Sequence, residues 1–399
     1  MNKSDFPMLI NNNDIIYFDN AATTFKPKSV VESTINYYTK YTTNANRGDY
    51  DIAYKVDTLI ENARKKVAEF INTNRNNIVF TSGTTDSINM VANCFFKNIL
   101  KPGDEILITS SEHASNVLPW FNLAKTNGVV VKFIELDDNY NVTLDKVKEA
   151  ITDKTKLISL AHVTNVVGDV RPIKEITKLA HENNIYVLVD GAQSVPHIKT
   201  DVVDLDIDFL AFSLHKMMGP TGVGILYGKQ DLLNKFSPIN LGGGMNESFD
   251  DVDHVILKDV PTRLEAGTLN IAGIVAINEV IDYINNIGID NISKYESSLK
   301  EYLVNNLKTI DHIHIINESS KSGIISFYVD DVFAQDVAYY LNKYKICVRA
   351  GNHCAKILKN VTGVKNTVRI SLYLYNTKDE CDILYELLKD KNRIIREMI

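Results

Sequence analysis

The sequence lacks long apolar runs and an excess of positive charge. No stretch approaches the roughly 18–20 apolar residues that cross a bilayer, and the polar segment Met1–Asp14 has no signal-peptide core. The net charge of −7 disfavours nucleic acids and anionic membranes as partners, because both attract basic surfaces. These absences predict a cytoplasmic protein that has neither a membrane nor a nucleic acid as its partner.

Cysteine is also scarce. The 399 residues contain only four cysteines, and none of them forms a CxxC pair: Cys94, Cys347, Cys354 and Cys381. A framework of disulfides is therefore not expected, and neither is a structural metal site. The open question is whether one of the four thiols is a nucleophile.

The residues that are present have the balance of a globular enzyme, with 45% hydrophobic and 23% charged residues. Short, β-branched, nearly continuous apolar runs recur with helix-like segments between them, which predicts βαβ units and a mainly parallel sheet in an α/β protein. The predicted strands are Ile106–Thr109, Val129–Ile134, Leu157–His162, Ile185–Asp190, Phe209–Ser213 and Val223–Tyr227. The predicted helices are Asp57–Ile71, Thr85–Asn98, Leu144–Ile151, Ile173–Asn183 and a long stretch at Ile271–Asn305.

The length and the change of pattern near Ile271 predict two domains. We expect a large domain at residues 15–265 and a smaller α+β domain at residues 266–399. Residues 1–14 are expected to pack on the smaller one.

An acid and a lysine end two successive predicted strands, at Asp190 and Lys216. Carboxyl ends of parallel strands meet at one edge of a sheet, where ligands bind. A lysine can hold the aldehyde of pyridoxal phosphate (PLP) as a Schiff base, and a carboxylate can keep its pyridine nitrogen protonated. For either residue alone, a helix cap (Asp190) or a surface lysine (Lys216) is the more common interpretation, but the two together favour a PLP site.

Two further segments fit such a site. The run Thr81–Thr85 precedes a helix, and helix N-terminal amides with hydroxyl groups bind phosphate, although an ordinary N-cap gives the same pattern. Ser213 and His215 can add donors from the neighbouring strand end. His113 follows another strand and is suited to stacking on a planar cofactor and to proton transfer.

These segments occur in an order that resembles the class V aminotransferase family of fold type I PLP enzymes, and within it the SufS-type cysteine desulfurases and the selenocysteine lyases. The resemblance covers nearly the whole chain. It is carried by Tyr17–Ala22, Ser82–Thr85, Glu112–His113, His162–Gly168, Asp190–Gln193, Ser213–Lys216, Glu265–Thr268, Arg349–Cys354 and Val368–Ser371. It implies a mainly parallel large-domain sheet flanked by helices.

The resemblance also implies roles for single residues. Lys216 would bind the aldehyde, Asp190 the pyridine nitrogen, and His113 would stack on the ring beside Gln193 and Asn165. Thr84, Thr85, Ser213 and His215 would hold the phosphate. Thr268 would reach the phosphate of a second subunit, which implies a homodimer with shared active sites. Arg369 would bind the substrate carboxylate, with Arg349 and Arg47 as lesser contributors.

Cys354 is the diagnostic residue of the resemblance. Arg349 and His353 are expected to act as cationic neighbours that favour its thiolate. The resemblance implies that the thiolate takes sulfur from L-cysteine, leaving L-alanine and a persulfide that passes to a sulfur-acceptor protein of the SufU or SufE kind, for iron–sulfur cluster assembly or another thiolation pathway. The alternatives are a selenocysteine lyase, another class V PLP enzyme, or a scaffold that binds a sulfur carrier without turnover.

The sequence departs from the SufS-type pattern at two positions. Asn46 precedes Arg47, and Asn352 lies two residues before Cys354, where the family commonly has histidine. Both departures bear on how the substrate or a partner fits.

Overall fold

The computed structural model describes residues 3–45 and 48–397 of the chain. In chain order, its strands are β1 (Ile16–Tyr17), β2 (Ile78–Thr81), β3 (Glu105–Thr109), β4 (Val130–Ile134), β5 (Thr155–Ala161), β6 (Tyr186–Asp190), β7 (Phe209–Ser213), β8 (Gly224–Gly228), β9 (Asn246–Phe249), β10 (Val255–Leu257), β11 (Ile313–Ile316), β12 (Ile324–Val329), β13 (Ile346–Cys347), β14 (Arg349–Gly351) and β15 (Thr367–Ser371).

The helices follow the same order. They are α1 (Pro7–Asn11), α2 (Lys28–Lys40), α3 (Asp51–Phe70), α4 (Thr84–Met90), α5 (Lys97–Ile99), α6 (Leu118–Asn127), α7 (Leu144–Ala150), α8 (Ile173–Glu182), α9 (Gln230–Leu233), α10 (Ile271–Ile287), α11 (Ile289–Leu307), α12 (Ala334–Lys343), α13 (Lys359–Thr362), α14 (Lys378–Leu388) and α15 (Lys391–Glu397). Among the described residues, no helix is both long and apolar enough to span a membrane.

The large sheet has seven strands in the order β2-β8-β7-β6-β5-β3-β4. Every strand runs in the same direction except β8, which is antiparallel to both of its neighbours. Strands β3, β6, β7 and β8 are almost wholly buried, as strands covered by helices on both faces must be. The predicted α/β fold with a mainly parallel sheet is therefore confirmed.

A second sheet lies in the C-terminal part of the chain. It is antiparallel, with the order β11-β12-β15-β14. Its core includes Leu303, Phe327 and Leu384, and the same cluster holds Phe18 from the N-terminal segment. The two sheets approach each other beyond the end of β5, where Arg369 of β15 donates to the Asn165 carbonyl at 3.0 Å.

Three predicted helices differ in detail. The predicted helix Thr85–Asn98 consists of α4 and α5 with a π-helical segment, Val91–Phe96, between them. The stretch predicted at Ile271–Asn305 is two helices, α10 and α11, which are separated at Gly288 because its φ of 86° breaks the helical path. The predicted helix Asp57–Ile71 begins six residues earlier in the structure, at Asp51, because Ala53 and Val56 extend its buried face.

The contacts of α10 and of the N-terminus bear on the domain boundaries, which stay predictions. Helix α10 packs against α2 and α3 and joins the core around the large sheet. Phe6 is fully buried and packs edge-on against Tyr375, with ring centroids 4.9 Å apart. Lys3 forms an ion pair with Glu380, so the first residues contact the C-terminal part.

Candidate active site

A cavity of about 370 Å³ opens where the large sheet meets the C-terminal part of the chain. It lies at the carboxyl ends of β5, β6 and β7, where the switch from strand to loop exposes polar side chains. Thirteen residues to which the sequence analysis gives a role line it: Thr84, Thr85, His113, Asn165, Asp190, Gln193, Ser213, His215, Lys216, Arg349, His353, Cys354 and Arg369. Thr268 does not line it, and Arg47 lies outside the described residues.

Asp190 and Lys216 form the charged floor of the cavity. Burial raises the pKa of the Asp190 carboxyl to about 6, although the Ala192 amide, which donates to Oδ1 at 2.9 Å, opposes that rise. Burial likewise lowers the pKa of the Lys216 ammonium to about 8, against the pull of Asp190. Within the described chain, no side chain forms a hydrogen bond or an ion pair with Lys216 Nζ. An amine with this pKa is available as a nucleophile and as a base near neutral pH.

Hydroxyl groups cluster at the N-terminus of α4. Ser213 Oγ lies 2.7 Å from both the backbone nitrogen and Oγ1 of Thr84. Thr85 Oγ1 lies 2.7 Å from Ser115 Oγ. The loop at Gly83 packs closely against β8. A Cβ at position 224 of β8 would lie only 2.3 Å from the Gly83 Cα. Glycine at 224 is thus required for the approach of the two segments, and the resulting cradle suits a phosphate group.

His113 begins a short turn after β3 and lines the middle of the cavity. Its Nδ1 accepts a hydrogen bond from the Ser115 amide at 3.1 Å. Burial, followed by the charges of Lys216 and Arg369, lowers the pKa of the imidazole to about 4. The ring is therefore neutral at physiological pH in the unliganded protein.

Asn165 and Gln193 each use one end of the side-chain amide and leave the other end free. Gln193 Nε2 donates to the Ala21 carbonyl at 2.7 Å, and Asn165 Nδ2 donates to the His353 carbonyl at 2.7 Å. The buried Oδ1 of Asn165 and Oε1 of Gln193 have no partner. Buried polar atoms nearly always have partners, so both oxygens are free to accept hydrogen bonds from a ligand.

Arg369 on β15 and Arg349 on β14 approach the cavity from the second sheet, and both contact Asp19. Arg369 is buried and donates to Asp19 Oδ1 at 3.1 Å and to the Asn165 carbonyl at 3.0 Å, while its Nε has no partner. Arg349 is exposed and binds Asp19 Oδ2 at 2.7 Å. Asp19 therefore sets the position of both guanidinium groups.

The role of Asp19 was missed by the sequence analysis. It belongs to a segment that carried the family resemblance, yet nothing in the spacing predicts that it meets residues more than 300 positions away. The one available signal is a lone carboxylate directly after a short apolar strand, and that pattern is common.

Cys354 lies in the loop after β14, on the rim of the cavity. It is the exposed cysteine among the four, and its backbone adopts the left-handed region with φ of 60°. The Ala114 amide donates to its carbonyl at 2.8 Å, so this loop contacts the loop of His113. Cys94 and Cys381 are buried and Cys347 is partly buried, and burial raises the pKa of all three thiols.

The expected cationic role of His353 is wrong. The imidazole is buried and its Nε2 lies 2.8 Å from Thr367 Oγ1. Burial, followed by the charge of Arg369, lowers its pKa to about 3, so the ring is neutral near pH 7. Arg349 remains as a positive charge near Cys354.

The aminotransferase class-V family profile matches residues 16–384 of the chain. The chain belongs to the class-V aminotransferase family. This confirms the family resemblance drawn from the sequence.

Several relatives of this class-V protein are named as desulfurases. The present chain is 40% identical over 386 residues to a probable cysteine desulfurase of Halalkalibacterium halodurans, and the match covers 96% of this chain and 95% of that protein.

Two solved structures are similar to it over nearly their whole length. The cysteine desulfurase CsdA from Escherichia coli is 34% identical, with a TM-score of 0.92 and coverage of 100% of this chain and 98% of that one. A cysteine desulfurase of Thermococcus onnurineus NA1 is 36% identical, with a TM-score of 0.93 and coverage of 97% and 96%. These likenesses confirm the expected fold type I architecture.

Proposed function

We propose that this protein is a PLP-dependent cysteine desulfurase, which converts L-cysteine to L-alanine and leaves the sulfur on Cys354 as a persulfide. The observation that carries the proposal is a single cavity that holds a half-buried lysine, a buried carboxylate, a buried arginine with a free Nε and an exposed cysteine. Its relatives of 34–40% identity that are named as cysteine desulfurases support it.

The cavity fits PLP on three counts. Lys216 has a lowered pKa and no partner for its amine, so it would hold the aldehyde. Asp190, whose carboxylate pays a burial penalty that raises its pKa, would gain a cationic partner in a protonated pyridine nitrogen. Thr84 and Ser213 would hold the phosphate with Thr85 and His215, while Gln193 Oε1 and Asn165 Oδ1 would gain the partners that they lack.

Bound PLP supplies an electron sink for the pair of electrons released when a proton leaves the substrate Cα. Lys216 would take and return that proton, because burial lowers the pKa of its free amine to about 8 and such an amine can act as a base. His113 lines the same cavity as a neutral ring and would lie over the cofactor. Arg369 binds the substrate carboxylate through Nε, which fixes where the substrate Sγ points.

Cys354 performs the step that defines the reaction. Its thiolate attacks the substrate Sγ: an S–S bond forms, the Cβ–Sγ bond breaks, and the electron pair of that bond stays with the three-carbon fragment. That fragment takes up a proton at Cβ and leaves as L-alanine. No external oxidant or reductant is needed, because the electron pair that the transferred sulfur loses is the pair that reduces Cβ to the methyl group of alanine.

The persulfide would pass to an acceptor protein. Cys354 is exposed at the mouth of the cavity, so a thiol of a second protein can reach its outer sulfur. We also propose a cytoplasmic location, because all four cysteines are free and Cys354 must stay reduced between turnovers.

We further propose a homodimer in which Thr268 completes the phosphate site of the partner subunit. Thr268 is exposed, and its Oγ1 lies 3.4 Å from Asn44 Oδ1, outside the cavity of its own subunit. Sedimentation should give a dimer. Mixed dimers that combine a Lys216→Ala subunit with a Thr268→Ala subunit should retain one intact site, and a fully active monomer would refute the proposal.

The test of function is release of L-alanine and sulfide from L-cysteine, with and without an acceptor thiol protein. The purified protein should form alanine, and the Cys354→Ala variant should bind cofactor but make almost none. Wild-type protein that is loaded with PLP and forms no alanine would refute the assignment. Activity of the variant on L-selenocysteine alone would favour a selenocysteine lyase, because selenium leaves more readily than sulfur.

A further inference from the structure

Glu112 precedes His113 and is buried beneath the cavity, where it meets four hydrogen-bond donors. Thr109 Oγ1 donates to its Oε1 at 2.8 Å, and Asn116 Nδ2 and the Ala161 amide each donate to Oε2 at 2.8 Å. Arg171 donates to Oε1 as well. Both carboxylate oxygens are thus fully engaged.

Arg171 is the fourth donor, and its side chain is 0% exposed. Its guanidinium donates to Thr109 Oγ1 and Ser111 Oγ, both at 2.8 Å, and to the Ala161 carbonyl at 3.2 Å. Its Nε donates to Asp169 Oδ2 at 3.3 Å. The planar guanidinium therefore joins the loop after β3 to the end of β5, which a lysine with one ammonium group does not reproduce.

The pair also joins the loops that carry the site residues. Asp169 accepts a hydrogen bond from the Thr164 amide at 3.1 Å through its carbonyl, which closes the turn that presents Asn165. On the other side, the loop of Glu112 continues into Ala114, whose amide binds the Cys354 carbonyl. One buried ion pair is thus connected by short contacts to the segments of His113, Asn165 and Cys354.

We propose that Glu112 and Arg171 are positioning residues, which hold the His113 loop and the Asn165 turn in register against the cofactor and the attacking thiol. The proposal rests on the proposed function and extends it to two residues that do not line the cavity. Neither residue contacts the reacting atoms, so each acts through the loops that it fixes.

The pair also contributes to the electrostatics of the site. The charged groups that bear on Asp190 are Lys216, Glu112 and Arg171, and Asp169 and His162 lie against Arg171. Burial is the largest influence on the pKa of Asp190, and the charge of Glu112 raises it further while that of Arg171 lowers it. Loss of the Glu112 charge alone therefore shifts the titration of Asp190 to lower pH.

Three variants of the cofactor-loaded enzyme test the proposal. Glu112→Gln keeps the shape but turns one amide NH₂ toward a donor, and Glu112→Gln/Arg171→Met removes both charges together. Lys300→Met is the matched control. Lys300 is also a buried cation, and its Nζ donates to the Glu318 carbonyl at a distance of 2.7 Å. It does not line the cavity. The double variant keeps the test available if a bare Arg171→Met chain does not fold.

The expected result for Glu112→Gln is normal cofactor content, a kcat for L-cysteine lowered by roughly 10- to 100-fold with little change in KM, and an altered visible circular dichroism band of the bound cofactor. The acid limb of the pH profile of cofactor absorbance should also move to lower pH. Lys300→Met should lower the melting temperature and leave kcat, the circular dichroism band and the acid limb unchanged.

The proposal is overturned if Glu112→Gln and the double variant lower the melting temperature and keep the native kcat, circular dichroism band and acid limb. The pair would then serve stability alone. Wild-type enzyme that makes no alanine would instead refute the proposed function, and the circular dichroism of the cofactor would still report whether the pair positions the site.

Discussion

Replacement of Arg369 by lysine tests how the substrate is held. The guanidinium already donates to Asp19 Oδ1 at 3.1 Å and to the Asn165 carbonyl at 3.0 Å, and its buried Nε is free. In Arg369→Lys one ammonium has to serve Asp19, the carbonyl and the substrate carboxylate. At least one charge-assisted hydrogen bond is lost, worth about 1.5–3 kcal/mol.

This energy corresponds to a loss of roughly 10- to 150-fold in kcat/KM for L-cysteine, at about 1.4 kcal/mol per tenfold. We expect most of it in KM, because the carboxylate is bound equally before and during the reaction. The assay is the rate of alanine formation over a range of L-cysteine concentrations. Cysteamine, which has no carboxylate, should react equally slowly with both proteins.

Arg349→Lys is the matched control. Arg349 also binds Asp19, but its side chain is 49% exposed, so water screens the interaction. Exposed ion pairs contribute about 1 kcal/mol or less, so the loss should stay below about fivefold. The reasoning is wrong if folded, cofactor-loaded Arg369→Lys keeps the native kcat/KM, or if Arg349→Lys causes the larger loss.

Three further changes have defined outcomes. Lys216→Ala should abolish turnover and the covalent attachment of PLP on borohydride reduction; attachment that persists would place the cofactor on another lysine. Cys354→Ala should keep the cofactor and its spectral response to L-cysteine while losing alanine formation, whereas Cys381→Ala should stay active if it folds. In the apoprotein the pKa of Asp190 is raised by burial from 3.8 to about 6, roughly 3 kcal/mol at about 1.36 kcal/mol per unit. The folded state binds that proton more tightly than the unfolded chain, so this contribution to stability is present below pH 4 and is lost as pH rises to about 6. Apo Asp190→Asn should therefore gain up to that amount at pH 8 and little at pH 4, as measured by urea unfolding, and an equal gain at both would contradict the burial argument.

The fold could be predicted because each buried strand of a parallel sheet corresponds to a short, continuous run of mostly apolar residues in the sequence. Phe209–Ser213 is a run of five residues that are all buried, and its bounds in the structure match the prediction. The end of a helix depends on weaker signals. Gly288 divides α10 from α11 through a single positive φ, and one glycine within an apolar helical pattern does not by itself predict a break.

A site residue could be predicted where its role follows from its position at the end of its own strand, as for Asp190 after β6 and Lys216 after β7. The rest depends on contacts between distant segments. Glu112 and Arg171 are 59 positions apart, and either one reads as an ordinary surface charge in the sequence. His353 resembles a cationic neighbour of Cys354 until the structure shows that Thr367 and the sheet enclose it.

Two kinds of buried polar cluster lie side by side in this protein, and the difference between them explains how the site is built. The Glu112–Arg171 cluster has its hydrogen bonds made within the chain, so it is rigid before any ligand arrives. In the cavity above it, the described residues that line the wall keep four buried polar atoms without a partner: Asn165 Oδ1, Gln193 Oε1, His353 Nδ1 and Arg369 Nε. Such atoms are costly to bury, and a planar cofactor and an amino-acid substrate can satisfy those that face the cavity. The Glu112–Arg171 cluster therefore holds the cavity-lining residues in place. Ligand binding then supplies the hydrogen bonds that the buried polar atoms of the cavity lack after folding, and this offsets the free-energy cost of their burial.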